Sequence, residues 1–153
     1  MSLKNILIAM PIEEELLLPL HEWGKNFEWK DVQEIHLVHI IKKTITPLEF
    51  GLVEMPDERT FKSMIPTLNN FLKDQGKKIV SPSFQGDIHY HLKLDFKPLD
   101  VIIDLIKKLD SSMVVVSTKG KHGIEGFFHS SFTEHLIRFA PCDVLVVRHP
   151  RLK

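Results

Sequence analysis

Residues 5–10 read Asn-Ile-Leu-Ile-Ala-Met, an unbroken apolar run that stops at Pro11. A strand with one wet face alternates polar and apolar residues. A run without alternation has to be covered on both faces, as in a parallel sheet with helices above and below. Residues 34–41 (Glu-Ile-His-Leu-Val-His-Ile-Ile), 113–116 (Met-Val-Val-Val) and 144–147 (Val-Leu-Val-Val) have the same character. Strands of this kind need crossover helices, so they commit the chain to α/β architecture with right-handed connections.

The intervening segments supply those helices. Glu13, Glu14 and Glu15 favour the positive end of a helix dipole, and Leu16, Leu17, Leu20 and Trp23 form its apolar face. A loop rich in proline and glycine, through Pro47, Gly51 and Pro56, leads to a helix opened by Asp57. Its face is Phe61, Met64, Ile65, Leu68, Phe71 and Leu72, and Pro66 predicts a kink or break inside it. Lys78 to Val80 reads as the start of a third strand. His89 to Phe96 alternates weakly, as an extra strand or an extended arm. Pro98 sits at a first helical turn ahead of Leu99, Ile102, Ile103, Ile106 and Leu109. Residues 120–130 read as loop and residues 131–140 as helix. The expectation is one domain over residues 1–153, with no linker or internal repeat.

Composition narrows the function. The 153 residues carry 20 basic and 20 acidic side chains, so there is no overall positive field for a nucleic-acid partner. A single cysteine, Cys142, excludes an internal disulfide and a thiolate metal cage, and its apolar neighbours mark a packed thiol. The start of the chain lacks the apolar core of a secretory leader and no window reaches membrane-spanning length, so the expected location is the cytoplasm, away from membranes.

In open α/β sheets, ligands sit beyond the carboxyl ends of the strands. Ser117-Thr-Lys-Gly-Lys-His-Gly123 leaves the fourth strand there and precedes a helix. Glycines permit close backbone approach, lysines add charge, and a helix N-terminus offers amides to an anion. The residues also fit a plainer reading, in which Ser131-Phe-Thr-Glu134 is a capping box and the glycines shape a turn.

The stretch Met113-Val-Val-Val-Ser-Thr-Lys-Gly-Lys-His-Gly, then Phe127-Phe-His-Ser-Ser-Phe-Thr-Glu-His-Leu, then Ala140-Pro-Cys-Asp-Val-Leu-Val-Val-Arg148 resembles the universal stress proteins. The resemblance covers nearly the whole chain and is strongest in its last third. It implies a Rossmann-like (adenine nucleotide alpha hydrolase-like) open five-stranded, mostly parallel sheet with helices on both faces. It also implies a homodimer through the closing strand, Val144 to Val147, and a regulatory role in the stress response. Some members of the family bind ATP through a loop of pattern G-x2-G-x9-G-[S/T]. On this chain the matching site is Met10, Pro11, Ile40, Val116, Ser117, Gly120, Ser130, Ser131, Phe132 and Thr133. Here Ser117 and Ser130 stand for the first and last glycines, and Pro11 stands for an acidic residue facing the adenosine. The resemblance therefore implies a degraded or altered loop for ATP or another adenine nucleotide. The alternative is an ATP-binding protein or a slow ATPase or nucleotide-transfer enzyme using the same loop.

Nine histidines raise the question of a metal. His89 and His91 would share one face of a strand, but two ligands are not a site and the spacing assigns no third. His36 and His39 fall on opposite faces of the second strand, and His122 and His129 border the loop. Gly120-Lys-His-Gly123 matches the GxxG loop of KH domains, but that loop joins two helices and this one follows a strand.

Overall fold

The computed structural model describes residues 3–118 and 127–148; at 127–131 it describes the backbone course without the side chains. The elements run β1 (Asn5–Ala9), α1 (Glu14–Asn26), β2 (Glu34–Lys42), β3 (Thr44–Leu48), β4 (Gly51–Met55), α2 (Glu58–Ile79), β5 (Asp87–Asp95), α3 (Pro98–Leu109), β6 (Met113–Thr118), α4 (Phe127–Phe139) and β7 (Asp143–Arg148). Five strands form one parallel sheet in the order β5-β2-β1-β6-β7. This is the Rossmann-like α/β architecture that the apolar runs demand.

The sheet is packed on both sides. Ile6, Ile8, Ile35 and Leu37 meet Leu17 and Leu20 of α1 and Leu72 and Ile79 of α2. Leu7, Val38, Val114 and Val116 meet Ile102, Leu105 and Ile106 of α3 and Leu136 of α4. Ile6, Leu7 and Ile8 of the central strand have no exposed surface, which is why that run carries no polar alternation. Where α1 crosses the end of α2, Gly24 lies against the Ile79 backbone, and its carbonyl accepts from the Trp29 indole at 2.9 Å.

The structure corrects the local reading in several places. Lys78 and Ile79 are the last turn of α2, with Val80 as its cap, so the short apolar patch there faces the core from a helix and is not a strand. Pro66 does not break that helix, which is a single element from Glu58 to Ile79. Its N-terminus is fixed by Asp57, which accepts from the Thr60 amide at 2.7 Å, and buried Leu72, Gln75, Gly76 and Ile79 anchor its second half. The missing strand is the weakly alternating one: β5 pairs with β2 along its full length from Glu34↔Asp87 to Lys42↔Asp95. The proline- and glycine-bearing loop is an antiparallel hairpin, β3–β4, separate from the main sheet. A two-stranded ribbon leaves each strand one unpaired edge, which tolerates Pro47. This hairpin exposes Ile45, Leu48, Phe50, Leu52 and Met55. Finally, α4 starts at Phe127, so Ser131 is inside the helix and cannot be its N-cap.

Candidate functional site

From β1 the chain winds outward through β2 to β5, then returns to the other side of β1 to lay down β6 and β7. The winding direction therefore reverses between β1 and β6. At such a switch the connecting segments diverge and leave a crevice at the carboxyl ends of the strands. A cleft of about 350 Å³ lies there. The ends of β1 (Ala9, Met10, Pro11), β2 (His39 to Lys42) and β6 (Val116, Ser117) line it, with Phe132 of α4, Met64 and Leu68 of α2, and Pro98 and Ile102 of α3. That volume falls in the range of small-molecule sites, and the lining is mostly apolar with a few polar groups.

Of the residues expected from sequence, Met10, Pro11, Ile40, Val116, Ser117 and Phe132 meet in this cleft. Thr133 does not line it: the residue is buried, and its hydroxyl has no hydrogen-bond partner among the described residues. Gly120 lies outside the described residues, as do Gly123 and the side chains of Ser130 and Ser131. Sequence reasoning missed Leu16, Met64, Leu68, Pro98 and Ile102. Met64 and Leu68 belong to one helical face by their spacing, but periodicity names a face without naming what it covers.

The end of β1 has little hydrogen-bonding capacity to spare. The Met10 amide donates to the Val38 carbonyl at 2.7 Å, the Met10 carbonyl accepts from His39 Nδ1 at 2.7 Å, and Pro11 has no N–H. Because its Nδ1 must carry the proton for that bond, a neutral His39 keeps Nε2 as an acceptor on the cleft wall. Ser117, which is buried, puts a hydroxyl where a glycine would leave space.

A larger hollow, about 680 Å³, opens beside Trp29, Gln33 and Gly86, ahead of β2 and β5. It lies at the amino ends of the strands, where no crossovers diverge. Cys142 behaves as a packed thiol, its pKa raised chiefly by burial and further by Asp143.

The comparisons with known proteins bear on which family built this cleft. The model of the universal stress protein family matches residues 3–148. The chain belongs to the universal stress protein family. A putative universal stress protein of Staphylococcus saprophyticus is 28% identical to it over 163 aligned positions, covering 99% of this chain and 87% of that protein. Among solved structures, a universal stress protein in complex with cAMP superposes with a TM-score of 0.65 at 14% identity, covering 98% of this chain and 100% of the other. A universal stress protein family member of Arabidopsis thaliana with AMP bound superposes with a TM-score of 0.56 at 18% identity, covering 96% and 92%. At these identities the superpositions establish the fold of this universal stress protein and leave its ligand to be argued from its own residues. Among the described residues, no helix is long and apolar enough to cross a membrane.

Proposed function

We propose that this universal stress protein is a homodimeric binding module that holds an adenine nucleotide in the cleft at the ends of β1, β2 and β6. The observation that carries the reading is the position of the cleft, at the point where the sheet reverses its winding. The relatives that carry cAMP and AMP share this fold and support an adenine nucleotide as the ligand class. The base would lie on the apolar floor of Ile40, Val116 and Phe132, with His39 Nε2 accepting from the exocyclic amine. The phosphates would extend past the carboxyl end of β6, where Ser117 lines the cleft. Ser117 in place of a glycine alters the site and supplies a hydroxyl in exchange for lost backbone room. Pro11 stands where the acidic residue facing the adenosine is expected, while Glu13 still places a carboxylate on the wall of the same cleft.

The dimer would form through β7. Among the described residues its outer edge pairs with no strand, and Val144 to Val147 pack alternately on the two faces of the sheet, so a second copy would pair with the free backbone N–H and C=O groups of that edge about a two-fold axis. Titration calorimetry with AMP, cAMP and ATP, coupled to light scattering, tests both halves. The expected result is saturation by at least one of these nucleotides at one per chain and a mass of twice 17.7 kDa. No heat at millimolar nucleotide overturns the ligand. A monomer at micromolar concentration overturns the β7 interface. Phosphate release above a protein-free control would turn the module into the slow ATPase.

A further inference from the structure

A second polar cluster lies in the amino half of the same sheet, away from the cleft. In the parallel register of β2 and β5, His36 stands opposite His89, Glu34 opposite Asp87, and Val38 opposite His91. Side chains two apart on a strand share a face, so Glu34, His36, His89 and His91 all stand on the side covered by α3. The His36 and His89 rings are stacked, with centroids 4.7 Å apart and planes 13° from parallel. His36 Nε2 is 3.2 Å from Glu34 Oε2, and His36 Nδ1 is 2.9 Å from His91 Nε2. One nitrogen or oxygen each from Glu34, His36 and His89 lies within 4.8 Å of the other two.

We propose that Glu34, His36 and His89 form a binding site for a divalent transition-metal ion of the zinc type, with His91 as the outer partner that orients His36. Two imidazoles and a carboxylate are the donor set of three-ligand zinc sites that keep a fourth position for water. Ligands at about 2.0–2.1 Å from a tetrahedral ion are about 3.3 Å apart, so the Glu34–His36 pair already has the spacing of one edge. His36 is buried at 3% exposure and fixes the site, whereas His89 is exposed on an edge strand and can swing to close the remaining gap. The Glu34 side chain is 41% exposed, which opens the fourth position to solvent.

The tautomers agree with this assignment. A metal on His36 Nε2 leaves the proton on Nδ1, which then donates to His91 Nε2, the outer hydrogen bond that metal-bound histidines use. The ion takes the place of the proton now shared between His36 and Glu34. Lys93 and Lys108 oppose a cation near His91, whereas Glu34 and, opposite it in register, Asp87 favour one at the outer end. The ion therefore belongs at the Glu34 end of the cluster. It would clip the edge strand β5 to β2.

The test uses full-length protein without a histidine tag, dialysed against a chelator and then titrated with Co²⁺ as a spectroscopic probe and Zn²⁺ as its competitor. The expected result is visible d–d absorption saturating at one Co²⁺ per chain and displaced by Zn²⁺. Affinity should fall more than about 100-fold in His89→Ala and in Glu34→Gln, and about 10–100-fold in His91→Gln, the range for loss of an outer partner. His21→Ala, which removes a histidine bonded to Gln75 elsewhere, should bind as the parent does. Zn²⁺ should also raise the melting temperature of the parent and not of His89→Ala, whose exposed side chain is not needed for folding. No saturable Co²⁺ spectrum, or an unchanged one in His89→Ala, overturns the site.

Discussion

Gly24→Ala should lower the melting temperature by on the order of 4–12 °C, from a loss of roughly 2–3 kcal/mol. An added methyl group in mid-helix normally helps, since alanine is favoured over glycine by about 1 kcal/mol. Here it would overlap the carbonyl oxygen of Ile79 and come 2.8 Å from the carbonyl carbon, both of them backbone atoms that no rotamer change can move. Helix α1 would have to withdraw from the end of α2. That shift would strain the Trp29–Gly24 hydrogen bond and the aromatic contacts of Trp29 with Trp23 and Phe27. Gly76→Ala is the matched control. Its new Cβ would meet the Leu37 Cδ1 methyl at 3.0 Å, a side-chain atom that can yield, so its stability should stay within about 1 kcal/mol of the parent. Thermal denaturation of the two variants side by side reads the difference, and a neutral Gly24→Ala would disprove the close crossing of α1 and α2.

Ile40→Trp should abolish most nucleotide binding while the sheet persists. Ile40 is half-buried on β2, with its side chain on the cleft wall, so an indole there occupies the space proposed for the base. Stacking of a base is worth about 1–3 kcal/mol, and each 1.4 kcal/mol is tenfold in affinity, so the loss should be about 10–100-fold. Calorimetry with AMP measures it, and far-ultraviolet circular dichroism confirms that the strands remain. Parent-like affinity in a folded Ile40→Trp protein would mean that the base does not lie on this wall.

Much of this fold can be read from the sequence because burial writes itself into composition. The central and inner strands carry unbroken apolar runs, and α3 has both its proline start and its apolar face. The unclear elements are those whose partners are distant in sequence or whose surroundings are mixed. Among the described residues the edge strand β5 has one neighbour, and its His89–His91 side is polar, so its weak alternation fits an extra strand and an extended arm equally. At Lys78 to Val80 three residues are too few to distinguish a helix end from a strand start. The hairpin β3–β4 hid behind Pro47 and Gly51, which in a longer sheet would end a strand. Half of the cleft was legible, since strand ends and a loop after β6 are where an α/β sheet puts its ligand. Met64, Leu68, Pro98 and Ile102 were not, because their convergence depends on how α2 and α3 cross the sheet. The histidine cluster shows the same limit: spacing pairs His89 with His91, but only the parallel register of β2 and β5 brings in Glu34 and His36.

The chain's five methionines provide the most direct test of the nucleotide cleft. Met10 and Met64 line it, Met55 is exposed on β4, and Met113 is buried at the amino end of β6. In a methyl-resolved NMR titration of the full-length protein labelled at methionine, AMP should shift the Met10 and Met64 signals along one saturation curve and leave Met55 and Met113 in place. An unchanged spectrum at millimolar AMP, or saturable shifts at Met113 with Met10 and Met64 unmoved, would contradict the placement of an adenine nucleotide at the ends of β1, β2 and β6.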